Sequence, residues 1–280
     1  MLYNTIKIKV ISMKTSEYLV FTDLDGTLLN HDDYDFSDAI DAVTYLNSKH
    51  IPIIISTSKT FSEVIKLQKH LQIKHPFIVE NGAGIFIPSD CILADSMMYK
   101  DEWIKVSQAH SYIELRLFFT KMKRTYPLRG FGDMSVEEVA DLTCLDTVGA
   151  KDAMKRDFTE PFILEDKSLL TSLKSEANFE GFDIVEGGRF YHLISLGQDK
   201  ASAMLQLTHL YDEYHNRLHK KIALGDSAND FTMIKQADIG VLIPKYDGSY
   251  AAIGTQDIKK AKHSGPKGWN QSILEIFNVA

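Results

Sequence analysis

The stretch VFTDLDGTLLN, residues 20–30, sets Asp23 and Asp25 at the end of an apolar run and follows them with Gly26 and Thr27. Strand side chains alternate faces with a period of two, so a regular strand would make these aspartates a charge pair on one face. A loop just past the strand end can instead rotate both carboxylates into one cleft. Aspartate and glycine after a strand are also ordinary turn formers. Taken alone, the stretch reads equally as a turn or as a reaction centre.

Outward from it, strands and helices alternate. EYLVFTD reads as a strand, and residues 37–50 have helical spacing with Ser37 as N-cap. IPIIIST (51–57) is a continuous β-branched run, as expected of a parallel strand buried on both faces. Thr60 caps a following helix, PFIVE forms a third strand, and NGAGIFIP turns back as a hairpin. From about residue 89 to 194 the pattern changes. Helical stretches (DEWIKVSQAHSYIELRLFFTKMKRTY, SVEEVADLTCL) surround the short strands EPFILE, FDIVE and RFYHLIS, with a hairpin signal at Gly187-Gly188. After Asp199 the alternation resumes through KKIALGD and IGVLIP. The fold class is therefore α/β: a Rossmann-like open parallel sheet (17–88 and 195–280) interrupted by an inserted α+β domain (89–194), after an N-terminal extension (1–16). Insertion at a surface loop of a finished fold is a tolerated event.

Composition sets bounds. The chain has 280 residues, 44% hydrophobic and 25% charged, as in ordinary globular proteins. No apolar run approaches the roughly 20 residues of a membrane span, and Lys7 and Lys9 break the N-terminal apolar residues that a signal peptide would need. Met13 is a candidate start, which would leave residues 1–12 as a frayed extension. The two cysteines, Cys91 and Cys144, form no recognisable pair, so a reduced, cytoplasmic setting is expected. A net charge of −7 argues against nucleic acid or an anionic membrane as partner. An anionic substrate must then be drawn in by local positive charge.

Four polar clusters fall at the carboxyl ends of the expected parallel strands or at the helix start facing them: Asp23 with Asp25; Thr57; Lys200; and GDSAND, with Asp226, Asn229 and Asp230. In an open α/β sheet that edge is where ligands bind. Each cluster also has a bland reading. Thr57 and Ser58 could cap a helix, Lys200 could be a solvated lysine, and Asp226, Ser227 or Asn229 could cap the helix of GDSAND. Arg189 and His192 could be exposed on a hairpin strand. Paired carboxylates repel, which favours a divalent cation between them or a proton on one. Oxygen ligation of that kind suits Mg²⁺.

In this order the clusters resemble the four motifs of the haloacid dehalogenase superfamily of phosphohydrolases: DLDGT, Thr57, Lys200 and GDSAND. The resemblance spans the chain from residue 17. It implies that Asp23 is the nucleophile forming an aspartyl-phosphate, and that Asp25 is the proton donor and acceptor. Thr57 and Lys200 would hold the phosphoryl oxygens. Mg²⁺ would be held by Asp23, the carbonyl of Asp25 and Asp226, with Asp230 close by. Only 33 residues separate Asp23 from Thr57, whereas 142 separate Thr57 from Lys200. The inserted domain is then a cap between the second and third motifs, as in the Cof-type and sugar-phosphatase branch.

Within that branch STSKT, PFIVENGAGIFIP, RDFTEPFIL and GGRFYHLIS look most like the mannosyl-3-phosphoglycerate phosphatases. Many relatives have Thr-Gly-Arg where this chain has Thr57-Ser58-Lys59. The resemblance implies substrate contacts from Ser58, Lys59, Glu80, Asn81, Gly82, Asn229 and, in the cap, Arg189 and His192. It implies a small phosphorylated sugar-glycerate as substrate and a monomer or homodimer. Hinges are expected near residues 84–90 and 194–199, with Gly84 and Gly197 absorbing the motion. The rivals are a broader sugar-phosphate or sucrose-phosphate-type phosphatase, and a catalytically silent sugar-phosphate sensor.

Overall fold

A computed structural model describes residues 16–91, 93, 102–187, 190–254 and 258–279. The expected extension, apart from residue 16, and Arg189 lie outside the described residues. The central sheet has five parallel strands. Their order is β12 (Lys259–Lys260), β11 (Ile239–Leu242), β10 (Lys220–Gly225), β1 (Tyr18–Thr22) and β2 (Ile53–Ile55). Beyond β2, a parallel bridge between Ser56 and Ile78 brings in β3 (Phe77–Val79). Strand β3 then pairs antiparallel with β4 (Gly84–Pro88), and β4 with β5 (Trp103–Val106).

Both faces of the parallel sheet are covered, as its β-branched runs require. Val20, Ile53, Ile55, Ile222 and Leu224 pack with Ala42, Leu46, Val64, Trp269 and Ile273 on one side. These partners come from α1 (Ile40–Ser48), α2 (Phe61–Leu71) and α9 (Gly265–Ile276). On the other side Leu19, Phe21, Ile54 and Ala223 meet Met204, Leu207, Tyr211 and Met233, from α7 (Lys200–His215) and α8 (Phe231–Gln236).

A second layered unit lies between. Its antiparallel sheet runs β6 (Leu128–Gly130), β7 (Glu160–Leu164), β9 (Phe190–Ser195), β8 (Phe182–Gly187). One face packs on α3 (Tyr112–Met122) and α6 (Leu170–Phe179). The other meets α4 (Val136–Thr143) and α5 (Thr147–Ala153).

Two sequence expectations differ from the structure. DEWIKV, expected to be helical and part of the insertion, supplies strand β5, because its Trp103 stacks edge-on against Phe61 and Phe77 and so joins the core sheet. Ser37 does not cap α1; its hydroxyl donates to Asp35 instead (2.5 Å), and a short 3₁₀ turn leads into the helix. Thr60 does cap α2, in a reciprocal pair with Glu63. Among the described residues no helix is long and apolar enough to cross a membrane.

Candidate active site

Strand register brings the loops after β1, β2 and β10 together. Thr22 lies level with Leu224 on one side and Ile55 on the other, so the chain leaves β1, β10 and β2 at one height. Asp23 follows directly, with its N–H donating to Leu224 O (3.0 Å). Trp269 Nε1 donates to the Thr22 hydroxyl (3.0 Å), and that hydroxyl donates to Asp23 O (2.7 Å). The backbone carrying Asp23 is thus fixed from both sides. Gly26, at φ +78°, makes the next turn possible. A Cβ there would also lie 2.9 Å from Asp226 Oδ2, so glycine lets the two acidic loops approach.

Lys200 lies at the centre and is 1% exposed. Its Nζ donates to Asp23 Oδ1 (2.6 Å) and to Asp230 Oδ1 (2.7 Å). The solvated-lysine reading therefore fails: α7 begins at Lys200 with Asp199 as its N-cap, which aims the side chain inward. Burial pulls the ammonium down, but Asp23 and Asp230 outweigh it and hold the pKa well above the usual lysine value. Asp230 Oδ2 accepts from the backbone N–H groups of Asp226 and Ser227 (3.1 Å each).

Negative charge nevertheless remains in surplus. Asp23, Asp226 and Asp230 each offer a carboxylate oxygen within 4.8 Å of the others. Burial pushes the Asp23 carboxyl far above the ordinary carboxylate range; Lys200 opposes this, and Asp230, Asp226 and Asp25 reinforce it. Burial and then Asp230 push Asp226 up to about 7. In addition, Asp25 Oδ1 is buried without a hydrogen-bond partner among the described residues. An all-oxygen donor set with too many charges for one lysine fits a hard divalent cation such as Mg²⁺.

Asp25 takes its other contact from Lys59. Nζ of Lys59 lies 2.9 Å from Asp25 Oδ2, 3.9 Å from Glu63 and 4.7 Å from the centre of the Tyr34 ring. Thr57 does not cap α2; its hydroxyl oxygen accepts from Lys59 N (3.2 Å), which leaves the O–H free to donate. A chain of bonds then crosses the sheet edge. Asn81 N donates to Thr57 O (2.9 Å), Asn229 Nδ2 to Asn81 Oδ1 (3.1 Å), and the Ser227 hydroxyl to Asn229 Oδ1 (2.6 Å). The turn that holds Asn81 is strained, with positive φ at Glu80 (50°), Asn81 (59°) and Gly82 (94°) in succession. Such strain concentrates at functional sites.

Glu80 has a different setting from the substrate contact expected of it. Its carboxylate accepts from Asp157 N (2.9 Å), Phe158 N (3.1 Å) and the Thr159 hydroxyl (2.7 Å). Gln198 Nε2 donates to Glu80 O (2.7 Å). This residue therefore joins the core to the segment between α5 and β7 of the second unit, and to the segment that returns from β9 to α7. His192 sits on β9 opposite Pro161 and Val185 and is 7% exposed, so the exposed-strand reading does not hold for it. Ser58 contributes its carbonyl, which accepts from Arg156 Nη1 (2.7 Å). Residue type and spacing do not single out Arg156, Gln198 or Trp269. Of the three, only Arg156 lies in a stretch that carries the resemblance, RDFTEPFIL.

The haloacid dehalogenase-like hydrolase pattern matches residues 20–246. A glucosyl-3-phosphoglycerate/mannosyl-3-phosphoglycerate phosphatase of Persephonella marina is 44% identical over 264 residues, covering 93% of this chain and 97% of that protein. A protein of the same description from Methanococcoides burtonii is 38% identical over 270 residues, with the same coverage. Among solved structures, Thermoplasma acidophilum 0175 superposes with a TM-score of 0.69 at 20% identity, covering 94% of this chain and 99% of that one. The chain belongs to the haloacid dehalogenase-like hydrolases. It is a phosphatase, a phosphoric monoester hydrolase.

Proposed function

We propose that the chain hydrolyses mannosyl-3-phosphoglycerate or its glucosyl analogue to the glycosylglycerate and phosphate, through an aspartyl-phosphate on Asp23. The observation that carries this reading is the cluster of buried Asp23, Lys200 and Asp230 with half-buried Asp226, in a chain 44% identical to a phosphatase of that description.

The chemistry follows from the residues. The Asp23 oxygen not engaged by Lys200 attacks phosphorus, and the ester bond to the glycerate carbon's oxygen breaks. Asp25 protonates that leaving oxygen and then takes a proton from the water that cleaves the aspartyl-phosphate. Lys200 and the Thr57 hydroxyl donate to the phosphoryl oxygens and offset their charge. A divalent cation such as Mg²⁺, held by Asp23, the carbonyl of Asp25 and Asp226 with Asp230 close by, would add positive charge against the same oxygens. The unit between β5 and α7 serves as a cap. Gly197, at φ +77° and with none of the described residues within 4 Å of where a Cβ would stand, suits a hinge.

A phosphate-release assay over phosphorylated glycerate glycosides and hexose phosphates, with and without Mg²⁺, tests the reading. Glycosyl-3-phosphoglycerates should give the highest kcat/KM, and chelation should abolish turnover. Asp23→Asn should lose activity by on the order of 10⁴-fold or more while staying folded. Comparable kcat/KM for hexose phosphates would favour the broader sugar phosphatase, and substantial residual activity in Asp23→Asn would sink the nucleophile assignment.

A further inference from the structure

Arg156 belongs to the segment between α5 and β7, yet it rests on the core loop that carries Thr57. Its guanidinium is fixed at two points. Nε donates to Ala153 O (2.8 Å) and Nη1 to Ser58 O (2.7 Å), with the Thr159 hydroxyl a longer contact at 3.5 Å. Its Nη2 has no acceptor among the described residues. A pinned guanidinium with one open edge is a preorganised donor rather than a floating surface charge.

Among the described residues, the lysines around it are already committed. Lys200 is held between Asp23 and Asp230, and Lys59 pairs with Asp25. Lys66 and Lys155 both pair with Asp152. Arg156 favours the charged form of Glu80, but both Glu80 oxygens are occupied by donors from residues 157–159. Arg156 thus retains an unclaimed donor edge beside Ser58, the residue adjacent to Thr57.

We propose that Arg156 is a specificity-determining residue that binds the substrate's second anionic group, the carboxylate of the glycerate unit. The inference rests on the phosphatase reading above and deepens it. A planar guanidinium matches a carboxylate in geometry and charge. The glycerate unit carries its carboxylate close to its phosphate ester, and Arg156 stands next to the loop assigned to the phosphate. Hexose phosphates have no such carboxylate, and a site that leaves a donor unmatched binds them less well. In a chain of net charge −7 such a local cation also offsets repulsion of a multiply charged substrate.

Steady-state kinetics of Arg156→Lys and Arg156→Ala test this with two substrates, mannosyl-3-phosphoglycerate and a hexose 6-phosphate. A parallel measurement compares inhibition by free 3-phosphoglycerate and by glycerol 3-phosphate, which differ at the carboxylate, using hexose phosphate turnover as the readout. Loss of kcat/KM on the glycerate ester by about 10- to 100-fold, mainly through KM, with a change on the hexose phosphate of less than about threefold, supports the proposal. So does loss of the wild-type preference for 3-phosphoglycerate over glycerol 3-phosphate, with lysine retaining part of it. Equal losses on both substrates would make Arg156 a support for the Ser58 loop and overturn the proposal, as would no loss on either. If the wild type ignores glycosyl-3-phosphoglycerates, the proposed function fails. The inhibitor pair still decides whether Arg156 reads a carboxylate.

Discussion

Gly82 and Asp199 approach so closely that a Cβ on Gly82 would overlap the Asp199 carbonyl oxygen. The contact joins the turn after β3 to the start of α7, where Asp199 caps the helix by accepting from Ser202 N (2.6 Å) and Lys200 turns inward. Gly82→Ala has two costs: a left-handed backbone at φ +94° and displacement of Asp199. The expected destabilisation is at least about 1–3 kcal/mol. A fall in kcat should accompany it, because Lys200 follows Asp199. Urea unfolding with wild-type stability would show that the two loops are not tightly joined.

Lys200→Met removes the ammonium from between Asp23 and Asp230 and leaves two buried carboxylates facing each other. Breaking a buried pair in this way costs about 3–5 kcal/mol. A divalent cation bound by the same carboxylates should recover part of the loss, so added Mg²⁺ should raise the Tm of the variant more than that of the wild type. A Tm that ignores Mg²⁺ would count against the acidic cluster as a cation site.

Glu80→Gln keeps the shape but removes the charge that Asp157 N, Phe158 N and the Thr159 hydroxyl share. Hydrogen bonds to a charged group contribute about 1.5–3 kcal/mol. Against this, burial raises the Glu80 pKa, and Arg156 and the three donors oppose it only in part, so global stability should change little. The effect should be local, with the amides of Asp157 and Phe158 exchanging with solvent faster. Unchanged exchange at both amides would mean that the carboxylate does not hold this segment.

His75 gives a pH dependence far from the site. Burial lowers its pKa, and the nearby Ile53 carbonyl opposes this only in part. Ile53 N donates to His75 Nδ1 (3.1 Å), a bond that needs the neutral ring. Below about pH 6.5 the unfolded chain takes up a proton here that the folded one resists. The contribution to stability is therefore full above that value and declines as pH falls through it toward the lower folded pKa. Between pH 6.5 and 5 the Tm of the wild type should fall more steeply than that of His75→Gln; parallel slopes would rule His75 out as a source.

The order of elements is largely legible in the sequence because local rules agree with the fold. β-branched runs give strands buried on both faces, and Thr60 with Glu63 gives a cap. Where a distant partner decides, local pattern fails. DEWIKV has helical neighbours, but Trp103 finds Phe61 and Phe77 and the segment becomes a sheet strand. Ser37 is a sound cap by type, yet Asp35 takes its hydroxyl.

The sequence by itself determined which polar residues fall at the strand ends or the helix start facing them, since the order Asp23-Asp25, Thr57, Lys200, Asp226-Asp230 follows from residue type, spacing and the alternation of strands and helices; their roles come from the family resemblance. Tertiary structure decided how each charge is used. Burial and pairing of Lys200, the three donors on Glu80 and the open edge of Arg156 depend on residues 30 to 177 positions apart in the chain. No local pattern encodes such contacts; register between parallel strands and the docking of the inserted unit create them.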